Sequence, residues 1–172
     1  MADAAAVLET ARLRLRELTL DDADAQFILR LVNDPAWLSC IGDRGVRTLD
    51  DARRYIADGP VLSYRQHGFG LYLTELKPGG ARIGICGLVK RDGLGDVDVG
   101  FAFLPEYRRQ GYAVESAAAV LEHARTVLGL DRVVAVTSPD NVGSIKVLEK
   151  IGLRYERMVR LPADDEAIAL YS

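Results

Sequence analysis

Apolar positions recur along this chain with two periods, and the switches between them outline its elements. Residues Arg12 to Leu18 read R-L-R-L-R-E-L, the period-2 alternation of a strand with one buried face. Thr19 then stands where a helix cap is expected, ahead of the acids Asp21, Asp22 and Asp24. Phe27, Ile28, Leu31 and Val32 follow at helical spacing, and Pro35 stops the run; a short second helix holds Trp37 and Leu38. Thr48, ahead of Asp50 and Asp51, predicts a third helix through Tyr55 and Ile56 that ends at Gly59-Pro60. From Gly68 the period falls to two. Gly68 to Glu75, Arg82 to Val89 and Asp96 to Leu104 are β-rich runs separated by Pro78-Gly79-Gly80 and Asp92-Gly93-Leu94-Gly95, which predicts an antiparallel meander. A long helix over about Tyr112 to Leu128 ends at Gly129. Arg132 to Thr137 is an apolar strand, Asn141 to Ile151 a helix closed by Gly152, and Leu153 to Leu161 and Ala167 to Tyr171 supply two more strands.

This order, with about seven strands, predicts an α+β domain with helices flanking a mixed sheet. The 172 residues, 49% hydrophobic and 27% charged, suit one domain over 1–172. The formal charge of −3 argues against a broad nucleic-acid surface, so an anionic ligand must be met by local groups. Two histidines and two cysteines do not supply a zinc site with the usual spacing; no metal is expected. Cys40 and Cys86 read as free thiols with a packing role. Met1 to Thr10 carries two acids and no basic residue, unlike a secretory signal, and no apolar run reaches membrane-spanning length, so a cytoplasmic protein without a membrane partner is expected.

Candidate chemistry concentrates in Phe101 to Val114, F-A-F-L-P-E-Y-R-R-Q-G-Y-A-V, where a strand gives way to a helix. A helix start presents unpaired N–H groups and partial positive charge, an anion site. Gly111 permits close backbone approach, Ala113 keeps the surface small, and Arg108 and Arg109 add charge suited to a diphosphate. An ordinary turn with solvated arginines would look the same. The P-loop and dinucleotide glycine patterns are missing.

The spacing R-x-x-G-x-A over Arg108, Gly111 and Ala113 resembles the acyl-CoA pyrophosphate loop of the GNAT acetyltransferases. Its flanks, Asp98-Val99-Gly100-Phe101 and Glu115-Ser116-Ala117, resemble the RimJ/RimL-like branch, and N-V-G-S-I-K-V-L-E-K-I-G-L from Asn141 to Leu153 resembles the family's second signature. The resemblance implies an α/β/α sandwich whose mostly antiparallel, twisted sheet splays at the fourth strand. It implies acetyl-CoA as co-substrate, transfer to an amine, and a monomer or homodimer.

Residue by residue, it implies that the backbone of Phe101, Ala102 and Phe103 meets the pantetheine arm, while the side chains of Phe101 and Phe103 read as core whatever the ligand. The N–H groups of Arg109, Gln110, Gly111, Tyr112, Ala113 and Val114 would cradle the pyrophosphate, with Arg108 at its edge. Asn141 is either the pantetheine-binding asparagine or a helix cap. Many relatives carry a tyrosine seven residues later; here that position is Leu148. Ser144, one turn earlier, is the serine of RimJ/RimL-like enzymes, either donating to the leaving thiolate or simply occupying a first turn.

Asp98 stands at the family's glutamate position and is the candidate base. Asp96 at i−2 would share its face and raise its pKa, unless both merely solvate a hairpin arm. Glu75 and Asp43 are weaker candidates. The acceptor, a protein N-terminal amine or a small amine, would meet Trp37 to Arg47 and Met158 to Asp165. Trp37 and Tyr55 read as core or pocket wall, and the acidic run Asp164 to Glu166 would favour a cationic amine. Two other functions compete, a CoA-binding sensor with little chemistry and a nucleotide-binding protein without acyl chemistry.

Overall fold

A computed structural model describes residues 4–172; Met1 to Asp3 of the acidic N-terminal stretch lie outside the described residues. Among the described residues the sheet has eight strands in the order β1-β2-β3-β4-β5-β6-β8-β7. β1 (Ala6–Glu9) is an additional antiparallel partner of β2 (Leu13–Arg16), where about seven strands were expected. β3 (Leu71–Leu76), β4 (Arg82–Val89) and β5 (Val97–Phe103) form the meander. β6 (Val133–Thr137) joins β5 in parallel, and β7 (Tyr155–Val159) and β8 (Ile168–Tyr171) complete the far side. β3 and β4 approach closely because Gly87 carries no side chain: a Cβ there would lie 2.0 Å from the Gly70 carbonyl oxygen.

Two apolar layers cover the sheet. On one face α5 (Tyr112–Thr126) and α6 (Val142–Lys150) help bury Leu13, Leu15, Tyr72, Ile83, Leu88, Phe103, Val120 and Leu148. On the other, α1 (Asp22–Leu31), α2 (Pro35–Cys40) and α3 (Leu49–Ile56) pack Phe27, Ile28, Trp37 and Ile56 against Leu73 and Ile85. Among the described residues no helix is long and apolar enough to cross a membrane.

Local details depart from expectation where side chains found better partners. Asp21, rather than Thr19, caps α1, accepting from the Asp24 N–H at 2.9 Å. Thr19 instead donates its N–H and hydroxyl to Asp24. Asp24 is fully buried and takes both terminal nitrogens of Arg16 at 2.9 Å, while Arg16 Nε reaches Glu75 at 3.0 Å and Arg82 Nε reaches Asp24 at 2.9 Å. Burial alone would raise the Asp24 pKa; hydrogen bonds from Arg16, Thr19 and Arg82 overcome it and hold the carboxyl at about 2.

Thr48 forms the expected capping box with Asp51. The helix does not stop at Gly59-Pro60, however. It widens into a π-helical segment, Ala57–Val61, and resumes as α4 (Leu62–His67), ending at Gly68 with φ 76°. Proline donates no N–H and crowds the preceding turn, and a widened turn accommodates both.

Candidate active site

β5 and β6 pair only at Val97 with Val133 and Asp98 with Val134. Beyond Asp98 the strands part. β5 remains bonded to β4 through Phe103, and β6 turns away to pair with β8. The edge of β5 from Val99 to Phe103 therefore faces a cleft of about 1120 Å³ rather than another strand. Unpaired backbone groups along such an edge suit an extended, amide-bearing chain. The Phe103 side chain packs in the core beneath α5, with Phe101 against the same cluster and Ala102 against the opposite one, which leaves the strand's backbone edge for the cleft. This is the predicted splay, at the fifth strand once β1 is counted.

The strand leads into a short 3₁₀ turn, Pro105–Tyr107, then to Arg109 at φ 61° and Gly111 at φ 84°. Among the described residues no side chain caps α5, so its first N–H groups stay open at the cleft. A clamp absent from the sequence reading fixes this helix start. Glu115 accepts from the Thr10 hydroxyl at 2.6 Å, the Arg12 N–H at 2.9 Å and Arg12 Nε at 2.6 Å. Arg12 also reaches the Gln110 carbonyl at 3.0 Å and lies 4.4 Å from the centre of the Tyr112 ring. Burial would raise the Glu115 pKa, but these donors hold it below its ordinary value.

Of the residues implied to touch acetyl-CoA, Phe101, Ala102, Phe103, Arg108, Arg109, Gly111, Tyr112, Ala113, Val114, Asn141 and Ser144 line the cleft. Gln110 does not line it: its side chain donates to the Glu106 carbonyl and its own carbonyl accepts from Arg12. Arg108 is largely spent on the fold, donating to the Phe103 carbonyl at 3.0 Å and to Asp34 at 2.6 Å. Arg109 makes no hydrogen bond or ion pair among the described residues, and Lys146 and Lys150 of α6 join it along the cleft. Sequence reading missed those lysines, which sit inside the second signature without distinguishing neighbours.

Asn141 does cap α6, accepting from the Ser144 N–H at 3.1 Å through Oδ1, which leaves its amide NH₂ for the cleft. The Ser144 hydroxyl has no partner among the described residues. Leu148, one turn on, is buried.

Asp98 is 1% exposed, and both its oxygens accept from Arg91 Nε at 3.1 Å. Burial pushes its pKa above the ordinary carboxylate value, and Arg91 opposes the rise without cancelling it. Asp96 plays no part in this; it pairs with Arg132 at 2.9 Å. Glu75 belongs to the buried Arg16 network, and Asp43 is an exposed partner of Arg47 at 2.5 Å. Neither lines the cleft.

The acceptor segments contribute unequally. Trp37, Cys40, Ile41 and Arg44 line the cleft, as do Tyr55 and Arg91, but of Met158 to Asp165 only Asp164 does. Cys86 is buried, its thiol pushed up to about 12 by burial, which fits a packing role; Cys40 is exposed and does not pack in the core.

Comparisons with known proteins agree with this geometry. A family model described as an acetyltransferase (GNAT) domain matches residues 12–154. The chain is 29% identical over 149 residues to the uncharacterized N-acetyltransferase YnaD of Bacillus subtilis, covering 87% of this chain and 83% of that protein. Its fold matches a GNAT-family acetyltransferase from Bacillus anthracis with a TM-score of 0.75 at 26% identity, over 95% and 93% of the two chains. It also matches the fold of RimL, a ribosomal-protein alpha-N-acetyltransferase solved with coenzyme A, with a TM-score of 0.79 at 18% identity, over 97% and 96%.

Proposed function

Because the chain belongs to the GNAT acetyltransferase family and has RimJ/RimL-like relatives, we propose that it transfers the acetyl group of acetyl-CoA to a primary amine, a protein N-terminal amine or a small-molecule amine, while both substrates are bound. The single observation that carries this reading is the continuity of one cleft from the unpaired edge of β5 to the uncapped start of α5. The edge suits the pantetheine amides. The helix start, with Arg109, Lys146 and Lys150, suits the diphosphate. The thioester then lies between Asp98 and Ser144.

Asp98 takes the amine's proton, directly or through a water. Its raised pKa makes it a better base than an ordinary carboxylate, and an α-amine near 7.7–8.0 needs less help than a lysine near 10.4. The amine nitrogen attacks the thioester carbonyl carbon; the N–C bond forms, the C–S bond breaks and the CoA thiolate departs. Ser144 donates its hydroxyl hydrogen bond to the sulfur. A thiolate of pKa about 8.5 is already a fair leaving group near neutrality, so Ser144 assists modestly and the buried Leu148 is tolerated at the family's tyrosine position.

Thiol release from acetyl-CoA, measured across a panel of peptides and small amines, tests the reading. Amine-dependent release supports it. Tight CoA binding without release from any amine would favour a CoA sensor, a reading that Leu148 keeps in view, and protection of the fold by ATP rather than CoA would point to a nucleotide-binding protein.

A further inference from the structure

The end of the cleft beyond Asp98 collects hydrogen-bond donors that lack acceptors. Trp37 is 5% exposed, and its indole Nε1–H is buried without a partner. Arg91 spends its Nε on Asp98, leaving its two terminal NH₂ groups unbonded among the described residues. Arg44 makes no hydrogen bond or ion pair there, and its charge, with that of Arg91, reaches the Tyr55 hydroxyl. Arg44 and Tyr55 also line an adjoining cavity of about 660 Å³, so this end has room beyond the reacting amine. The acids nearby do not cancel the pattern. Asp98 is already engaged by Arg91, and in the adjoining cavity Asp51 accepts from the Thr48 N–H in the α3 capping box. Only Asp58 there and Asp164 on the main cleft remain.

Two guanidinium groups and a phenol lining one cleft, with the buried indole N–H of Trp37 also on its lining, call for a planar anion with two acceptor oxygens, which a carboxylate supplies. We propose that this wall, formed by Trp37, Arg44, Tyr55 and Arg91, binds a carboxylate on the acceptor, so that the amine acetylated is a carboxylate-bearing amine. Asp98, held by the same Arg91, then stands beside the amine of that molecule. The carboxylate belongs either to a free amino acid or to an acidic residue at a peptide N-terminus, two sources with one chemistry. The inference rests on the acetyl-transfer reading for its amine but not for its carboxylate.

Trp37 is the only tryptophan, so its fluorescence reports on this wall directly. The full chain, saturated with CoA, is titrated with two pairs of acetylated products, with calorimetry as a second readout. One pair is N-acetyl-alanine and its primary amide. The other is the amidated dipeptide N-acetyl-Asp-Ala and its Asn counterpart. The carboxylate member of at least one pair is expected to bind about tenfold more tightly, and the pair that discriminates names the source. Arg44→Gln should bring that ratio close to one while CoA affinity stays unchanged. Equal affinities within both pairs, no binding of either carboxylate, or an Arg44→Gln variant that weakens acid and amide alike would overturn the proposal. Thiol release with the corresponding free amines separates the two readings. Discrimination in binding with no release from any amine would sink acetyl transfer and leave the carboxylate site standing.

Discussion

In the proposed mechanism Ser144 and Asp98 carry the proton chemistry, and their surroundings set different expectations. Ser144→Ala should lower kcat by less than about tenfold and leave the KM for acetyl-CoA unchanged, since the thiolate leaves readily without help. A rise in that KM with kcat intact would assign the hydroxyl to binding instead. Asp98→Asn should reduce kcat/KM by about a hundredfold, the usual scale of a lost general base. Burial raises the Asp98 pKa, so in the parent enzyme activity should fall on acidification at a pH above the ordinary carboxylate range. That acid limb should vanish from the residual activity of Asp98→Asn. The two sites also differ in how visible they were. The motif named Asp98, but the reason for its raised pKa was misplaced: Asp96 was expected to be the cause, and burial is. Which groups surround a carboxyl is decided by packing: Arg91, seven positions away in the β4–β5 hairpin, folds back onto Asp98, and the layers around β5 bury it.

In the proposed reading α5 binds the diphosphate through its N-terminal end. Gly111 holds φ 84°, where an L side chain costs about 1–2 kcal/mol, and it opens the first turn to the cleft. Gly111→Ala should therefore lower the melting temperature and raise the KM for acetyl-CoA about tenfold. Gly129→Ala is the control, because that glycine also has positive φ (67°) but lies past the far end of the helix. It should show a similar loss of stability with KM unchanged; an unchanged KM in Gly111→Ala as well would exclude the helix start from binding. The helix was legible because its apolar stripe and terminal glycines are local signals. Its clamp was not, because Arg12 and Glu115 are 103 positions apart, and nothing in the R-L-R-L alternation marks Arg12 for a long-range partner. The third helix was misread for a related reason. Gly59-Pro60 is a stop signal by local chemistry, yet packing against the sheet carries the chain through it as a π-helical segment.

The Arg16, Asp24, Glu75 and Arg82 network joins β2, α1, β3 and β4, and so ties the helical layer to the sheet that opens at the cleft. Removing one partner strands the other charges in a buried place, so Arg16→Met should destabilise the protein by about 3–5 kcal/mol, read from denaturant unfolding. A loss below about 1 kcal/mol would mean the network is not a tie. Its pH signature follows from Asp24. The folded pKa, about 2, lies below the ordinary 3.8, so this carboxyl contributes stability above 3.8 that is lost as the pH falls from there towards 2. Melting temperatures measured over that window should drop in the parent protein, and the drop should be smaller in Asp24→Asn.

Periodicity and punctuation in the chain were enough for most of the order of helices and strands, the meander and the helix start that suits a diphosphate, because each is encoded by neighbours within a turn or a hairpin; the splay was implied only by the family resemblance. Folding decided what those elements hold between them. It bent β6 away from β5 to expose a backbone edge, took Arg108 for the scaffold while leaving Arg109 free, and brought Trp37, Arg44, Tyr55 and Arg91 to one wall from three separate segments. The physical reason is that a side chain's partners, and hence its charge state and its freedom to bind, are set by which distant groups compete for it once the layers close.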